Sequence, residues 1–86
     1  MQIDFHRNYT KRWIKLTLGQ QRRALAAIEL FLGNPQAPQL RLHQLKGKYY
    51  PEFSISGGGD LRLHFLKSDP TTIVFTAIGT HAQLYE

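Results

Sequence analysis

At 86 residues, 42% of them hydrophobic, with four prolines and seven glycines, the chain has the composition of one globular domain over residues 1–86 rather than of a disordered or repetitive protein. It has no cysteine, which excludes disulfides and thiolate chemistry and fits the cytosol, and its four histidines are scattered without close spacing, so no zinc site, other metal or cofactor is expected. Eleven Lys and Arg against six Asp and Glu give a net charge of +5, which points to a polyanion or an acidic partner.

The start, Met1-Gln2-Ile3-Asp4-Phe5, lacks the basic residues and long apolar run of a signal peptide, and no segment approaches the ~20 apolar residues of a membrane span. A soluble cytoplasmic protein with no membrane partner is expected. Gln2 to His6 alternate and predict a short strand with Ile3 and Phe5 on one side. Asn8 offers an N-cap for a first helix in which Tyr9, Trp13 and Leu16 share a face while Lys11, Arg12 and Lys15 stay outward. Thr17-Leu18-Gly19-Gln20 fits a capping box for a second helix. Its apolar stripe is wide, with Leu25, Ile28 and Leu32 beside Ala24, Ala27 and Phe31, and Gly33-Asn34-Pro35 stops it. The two helices are predicted to form a hairpin, followed by a linker from Gly33 to Gln39.

Tyr49 to Ser56 reads as a strand with Phe53 and Ile55 on the apolar side, and Pro51 marks an edge or a late start. Gly57-Gly58-Gly59-Asp60 reads as a turn. Leu61 to Lys67 alternates, placing Leu61, Leu63 and Phe65 on one face and Arg62 and His64 on the other. After a second turn at Ser68-Asp69-Pro70, the β-branched run Thr72 to Ile78 suits a central strand, and a short last element falls around Leu84-Tyr85. The expected fold class is α+β: a β-α-α unit whose helical hairpin covers one face of an antiparallel three-stranded meander. The opposite face is left polar, with Glu52, Ser54, Ser56, Arg62 and His64.

Several side chains in this layout have chemistry to offer. His81 and Tyr85 leave the last strand as a titratable pair able to handle protons on a hydroxyl or a phosphate, or to serve the structure alone. His43 and Lys46, in the loop His43-Gln44-Leu45-Lys46-Gly47, suit a phosphate or an ordinary surface. Arg62 supplies a planar fork for a phosphate, or pairs with Asp60 or Glu52. His64 shares its face. Gly57-Gly58-Gly59 lacks the Lys-Ser/Thr and helix of a P-loop and reads as a flexible hairpin turn. Tyr49, Tyr50 and Trp13 suit base stacking or core packing.

The order of a basic helical hairpin, His-x-Leu-x-Gly at His43 to Gly47, Gly-Asp-x-Arg-Leu at Gly59 to Leu63, and Gly-Thr-His-x-x-Leu-Tyr at Gly79 to Tyr85 resembles the RelE/ParE superfamily of bacterial toxins, most of all its YafQ-like branch. The resemblance covers nearly the whole chain from Tyr9. It implies the RelE-like fold and an endoribonuclease that cuts messenger RNA on the ribosome and is held inactive by a cognate antitoxin. It also points to His43, Asp60, Arg62, His81 and Tyr85 as the catalytic set. His81 is then the general acid, His43 or Asp60 the base, Arg62 with Lys46 the phosphate clamp, and Tyr85 an orienting or stacking residue. Lys46, Lys48 and His64, with Lys11, Arg12, Lys15, Arg22 and Arg23 of the helices, are the expected contacts to message and rRNA. The chain departs from the branch at two places. Ser56 stands where a further histidine is common, and Gly59-Asp60-Leu61 replaces Pro-Asp-Trp. Two alternatives follow from the same resemblance: a ParE-like inhibitor of DNA gyrase, and a catalytically degenerate homologue that only binds antitoxin.

Overall fold

The computed structural model describes residues 1–85; Glu86, the end of the C-terminal stretch and of the expected 1–86 domain, lies outside them. Five strands form one mixed sheet in the order β1-β5-β4-β3-β2. They are β1 (Gln2–Phe5), β2 (His43–Gln44), β3 (Phe53–Ser56), β4 (Leu61–Asp69) and β5 (Thr72–Thr80). The β3-β4-β5 part is the expected antiparallel meander, and β1 adds to its far edge in parallel with β5, from Gln2↔Thr72 to Phe5↔Phe75.

Between β1 and β2 run the two helices α1 (Arg7–Trp13) and α2 (Leu18–Gly33). The N-cap of α1 is His6 rather than Asn8: the Asn8 amide donates to His6 Nδ1 at 3.0 Å, so the helix starts earlier than its sequence signal. For α2 the capping box forms as expected, with the Gln20 amide on Thr17 Oγ1 at 3.1 Å and the Thr17 amide on Gln20 Oε1 at 2.9 Å. Its buried stripe is narrower than expected. Ala24, Ala27, Ile28 and Phe31 face the sheet at spacings of three and four, whereas Leu25 is 57% and Leu32 49% exposed.

Phe65 is the centre of the core between helices and sheet. It is fully buried and touches the rings of Phe31 at 5.0 Å, Phe53 at 5.4 Å and Phe75 at 5.7 Å. A β-bulge keeps this packing in phase. His64 pairs with Ala77 but Phe65 pairs with Phe75, so Thr76 is an extra residue in β5 and both Phe75 and Ile78 stay buried.

Three local expectations are corrected. His43 lies on the edge strand β2, paired with Ser54, and not in a loop. The stretch from Tyr49 is not all strand: Gly47–Tyr49 is a 3-10 turn and β3 begins only at Phe53, after Pro51, which has no amide to donate to a ladder. The polar sheet face is not open, because α3 (His81–Leu84) and Tyr49 cover its middle, leaving His64 and Ser54 buried. The turn before β4 does follow expectation, with Gly58 and Gly59 at φ +95° and +55° where a side chain would strain the backbone. Among the described residues no helix is long and apolar enough to cross a membrane.

Phe65→Ala is expected to lower the unfolding free energy by about 3–5 kcal/mol, through lost apolar burial and a cavity left among the surrounding aromatic rings. Leu25→Ala should cost under about 1 kcal/mol because its side chain already meets solvent. Urea unfolding midpoints of the two variants check both values.

Candidate active site

Backbone pairing brings the candidate residues together before any side chain is considered. Across β2, β3, β4 and β5, His43, Ser54, His64 and Ala77 stand in one row, and Ser56, Arg62 and Gly79 in the next. Residues paired across a sheet project to the same side, so His43 shares a face with His64 from two strands away, about 10 Å across the sheet. The chain then leaves β5 into α3 through a second capping box, with the Gln83 amide on Thr80 Oγ1 at 3.2 Å and the Thr80 amide on Gln83 Oε1 at 2.8 Å. The His81 amide donates to the Asp60 carbonyl at 2.9 Å, which ties α3 to the β3-β4 turn. That tether places His81 and Tyr85 over the sheet rather than beyond it.

His81 is exposed and its ring lies tilted at 39° against that of Tyr85, with centroids 4.6 Å apart. Tyr85 is 38% exposed, and its hydroxyl lies 2.8 Å from His64 Nε2. Burial and then Tyr49 push its phenol pKa up, with Arg62 acting the other way. The Tyr49 ring meets His64 edge-on at 5.1 Å and Tyr85 edge-on at 5.5 Å, and its hydroxyl donates to the Leu84 carbonyl. Beneath them the Thr76 hydroxyl donates to Glu52 Oε1 at 2.7 Å, and that oxygen is 3.9 Å from His64 Nδ1. Glu52 and Tyr49 were legible in sequence only as a face position and an aromatic beside the Leu-x-Gly motif; their part in this cluster was not.

His64, expected among the RNA contacts, is fully buried and cannot touch RNA. Burial, then the charges of His43 and Arg12, lower its pKa to about 4. The other expected residues are exposed or half-exposed. His43 Nδ1 lies 2.8 Å from the Arg41 carbonyl, which can only accept, so Nδ1 carries the proton and Nε2 keeps a lone pair. Arg62 is folded onto the turn, its Nη1 donating to Gly59 O at 2.8 Å, Leu61 O at 2.9 Å and Ser56 Oγ at 3.3 Å. Ser56 Oγ also accepts from the Gly58 amide at 3.1 Å, so the serine at the departing position organises the turn that carries Arg62 and Asp60. Asp60 is exposed on that turn.

The basic residues divide. Lys11, Arg12 and Lys15 line a cleft of about 500 Å³ with Asn8, Gln20 and Gln83, against α3. Arg12 also borders a second cleft of about 360 Å³ that includes Tyr49, Glu52, Thr76 and Leu84. Lys48 Nζ sits 5.1 Å from the Tyr49 ring centroid, and Lys46 is exposed just before that turn. Arg23 packs beside Gly58 and Gly59, while Arg22 is exposed on α2 and lines neither cleft. Among the described residues no group of three or more His, Asp or Glu is placed to hold a metal ion.

No protein-family model matches the chain, and no curated protein matches it. Solved structures do match. Escherichia coli YafQ superposes with a TM-score of 0.77 at 21% identity, over 98% of this chain and 97% of that one. A chain of the E. coli DinJ–YafQ toxin–antitoxin complex gives 0.73 at 23% identity, over 98% and 96%. A chain of the archaeal RelE–RelB complex from Pyrococcus horikoshii gives 0.71 at 15% identity, over 95% and 96%. The architecture is that of the RelE-type toxins, YafQ among them, as the sequence motifs implied.

The low pKa of His64 makes folding stability depend on pH with a definite sign. An unfolded imidazole takes up a proton near pH 6.5, but the folded one does so only at about 4, so between these values the unfolded chain binds the extra proton. Stability from this group is complete above pH 6.5 and falls as the pH drops toward 4. Urea midpoints at pH 7.5, 5.5 and 4.5 should decline more steeply for the native chain than for His64→Gln, which has no such group to titrate.

Proposed function

We propose that this chain is the toxin of a type II toxin–antitoxin pair, and that it acts as a metal-independent endoribonuclease on messenger RNA bound to the ribosome. The observation that carries this reading is the exposed His81–Tyr85 ring contact, tied by the Asp60 carbonyl to the turn that bears Arg62, on a sheet of RelE type. RNA brings its own nucleophile in the 2′-hydroxyl, so cleavage asks the protein only for a base, a cation and an acid held around one phosphate.

His43 suits the base, because its Nδ1 is committed to the Arg41 carbonyl and its Nε2 lone pair is left free. It takes the 2′-hydroxyl proton, the 2′-oxygen attacks phosphorus, and Arg62 with Lys46 stabilises the added negative charge. His81, protonated, returns a proton to the departing 5′-oxygen. Asp60 is exposed beside them and holds the His81 amide through its own carbonyl, a positioning duty that leaves its carboxylate free for the site. Tyr85 orients the ribose. Lys11, Arg12 and Lys15, in the cleft against α3, supply the charge that holds message or rRNA.

An acidic antitoxin is the second partner. The free outer edge of β1 and the apolar groove of about 220 Å³ formed by Phe5, Tyr9, Trp13, Leu25 and Ile28 offer a strand and an apolar segment somewhere to bind. The neighbouring structures from DinJ–YafQ and RelE–RelB support a partner of this kind.

His81→Ala is expected to slow message cleavage on the order of 10²- to 10⁴-fold and to abolish growth arrest on induced expression, with an unchanged melting temperature. Primer extension on a cellular message reads the result. A folded His81→Ala variant that still cuts and arrests growth removes the acid role. Arrest with intact messages and lost supercoiling would instead mark a gyrase inhibitor, and no arrest at all a degenerate homologue. Separately, replacing Lys11, Arg12 and Lys15 with Gln should weaken binding to single-stranded RNA. The slope of log K against log salt should flatten by about 0.7 for each phosphate no longer neutralised, as titrations across a roughly fourfold range of salt would measure.

A further inference from the structure

His64 is a fully buried imidazole in a part of the molecule that otherwise faces a site, and the helix-side core does not need it there. Among the described residues its Nε2 has one partner, the Tyr85 hydroxyl at 2.8 Å; its Nδ1 has no hydrogen bond among them, and Glu52 Oε1, 3.9 Å away, is the carboxylate oxygen it faces. A lone pair on Nδ1 pointing at that carboxylate would be repelled, whereas an N–H there is attracted, so the proton belongs on Nδ1. The Thr76 hydroxyl holds Glu52 Oε1 in place at 2.7 Å. Nε2 is then an acceptor and the Tyr85 O–H must donate to it. Tyr85 is further fixed by the edge of the Tyr49 ring and by its own amide on the His81 carbonyl at 3.0 Å.

Glu52 alone among the described groups around the imidazole favours a positive charge on it, and burial with the two nearby cations outweighs that pull. Tyr85 and Tyr49 enclose it, Glu52 faces Nδ1, and His43 from β2 and Arg12 from α1 oppose a positive charge on it. It is neutral throughout the pH range in which RNA is handled, and it cannot touch RNA itself. Whatever it does, it does through Tyr85.

We infer that His64 is a positioning residue: neutral and protonated on Nδ1, it accepts the hydrogen bond of the Tyr85 phenol and so turns the lone pairs of the Tyr85 oxygen outward, where they accept a hydrogen bond from an N–H or O–H of the bound nucleotide other than the attacking 2′-hydroxyl. This rests on the ribonuclease reading above and deepens it. Tyr85 serves through its oxygen as well as its ring, and the direction of its hydroxyl is set from inside the sheet. The nucleotide is thereby held with its 2′-oxygen toward the phosphorus, and the single 2′-hydroxyl proton is left for His43 to take.

Two measurements test this. In the RNA-free protein, nitrogen NMR of the His64 ring should show a protonated Nδ1 and an unprotonated, hydrogen-bonded Nε2, whose shift moves in Tyr85→Phe; a proton on Nε2 overturns the inference. In single-turnover cleavage of a ribosome-bound message, Tyr85→Phe and His64→Leu should each lower the maximal rate on the order of 10- to 100-fold with little change in half-saturation, and the double variant should be no slower than either. His64→Gln, which keeps an acceptor near the place of Nε2, should recover most of that loss. A folded His64→Leu variant at the native rate, or losses that multiply in the double variant, would overturn the role. Should His64→Leu fail to fold, the Gln variant decides: a rate as low as that of Tyr85→Phe, with a native melting curve, counts against it. A native protein that cuts no message refutes the ribonuclease reading and the nucleotide contact with it, while the wrong tautomer refutes the positioning alone.

Discussion

Strand β4 lies third of five and is buried on both faces, and this two-sided burial constrains everything around it. Toward the helices its alternation presents Leu61, Leu63 and Phe65, all fully buried, and these need only apolar partners of the right volume. Toward the other side it presents Arg62 and His64, and polar groups removed from water need specific partners. Arg62 finds them in the carbonyls of its own turn and in Ser56; His64 finds Tyr85 and faces Glu52. One strand therefore divides the protein into a core that holds the fold and a polar layer that holds the site.

The C-terminal turn is what converts that layer from a surface into a site. Without α3, His64 and Ser54 would face solvent and the row running to His43 would be an ordinary polar sheet. The Thr80–Gln83 capping box, the His81 amide on the Asp60 carbonyl and the Tyr49 hydroxyl on the Leu84 carbonyl together fold the last residues back across β4 and β5. The turn is short, so its geometry is set by these three attachments rather than by helix propensity. Its exposed side carries His81 and its inner side Leu84, with Tyr85 spanning the two. The aromatic group at this position thus both packs over His64 and reaches solvent.

The departure at Ser56 has a physical meaning beside that turn. A serine there does not simply leave a gap where the pattern that the sequence resembles has a histidine. Its hydroxyl closes the glycine turn through the Gly58 amide and supports the Arg62 guanidinium, so the side chain orders a loop that carries a cation. Under the proposed mechanism, proton handling then falls to His43 and His81.

Much of this was legible in the chain itself. Period-two alternation located β4 and the apolar side of β3, Thr17 and Gln20 announced the start of α2, the glycine run announced its turn, and the three short motifs pointed to His43, Asp60, Arg62, His81 and Tyr85 as candidates. These are local signals, carried by residues a few positions apart, and local backbone preference is enough to express them. Other features were not legible. The N-cap at His6, the edge strand that takes His43, the exposure of Leu25 and Leu32, and above all the burial of His64 depend on what a segment meets after folding. Alternation tells which side of a strand a residue occupies but not what will cover that side. The cover over His64 comes from Tyr85, 21 residues later, and is held by a Tyr49–Leu84 bond spanning 35 residues. The sequence by itself determined the elements and the chemical groups at hand; the tertiary structure alone decided that one histidine meets solvent and another is sealed beneath a tyrosine, because that choice is made by contacts between segments far apart in the chain.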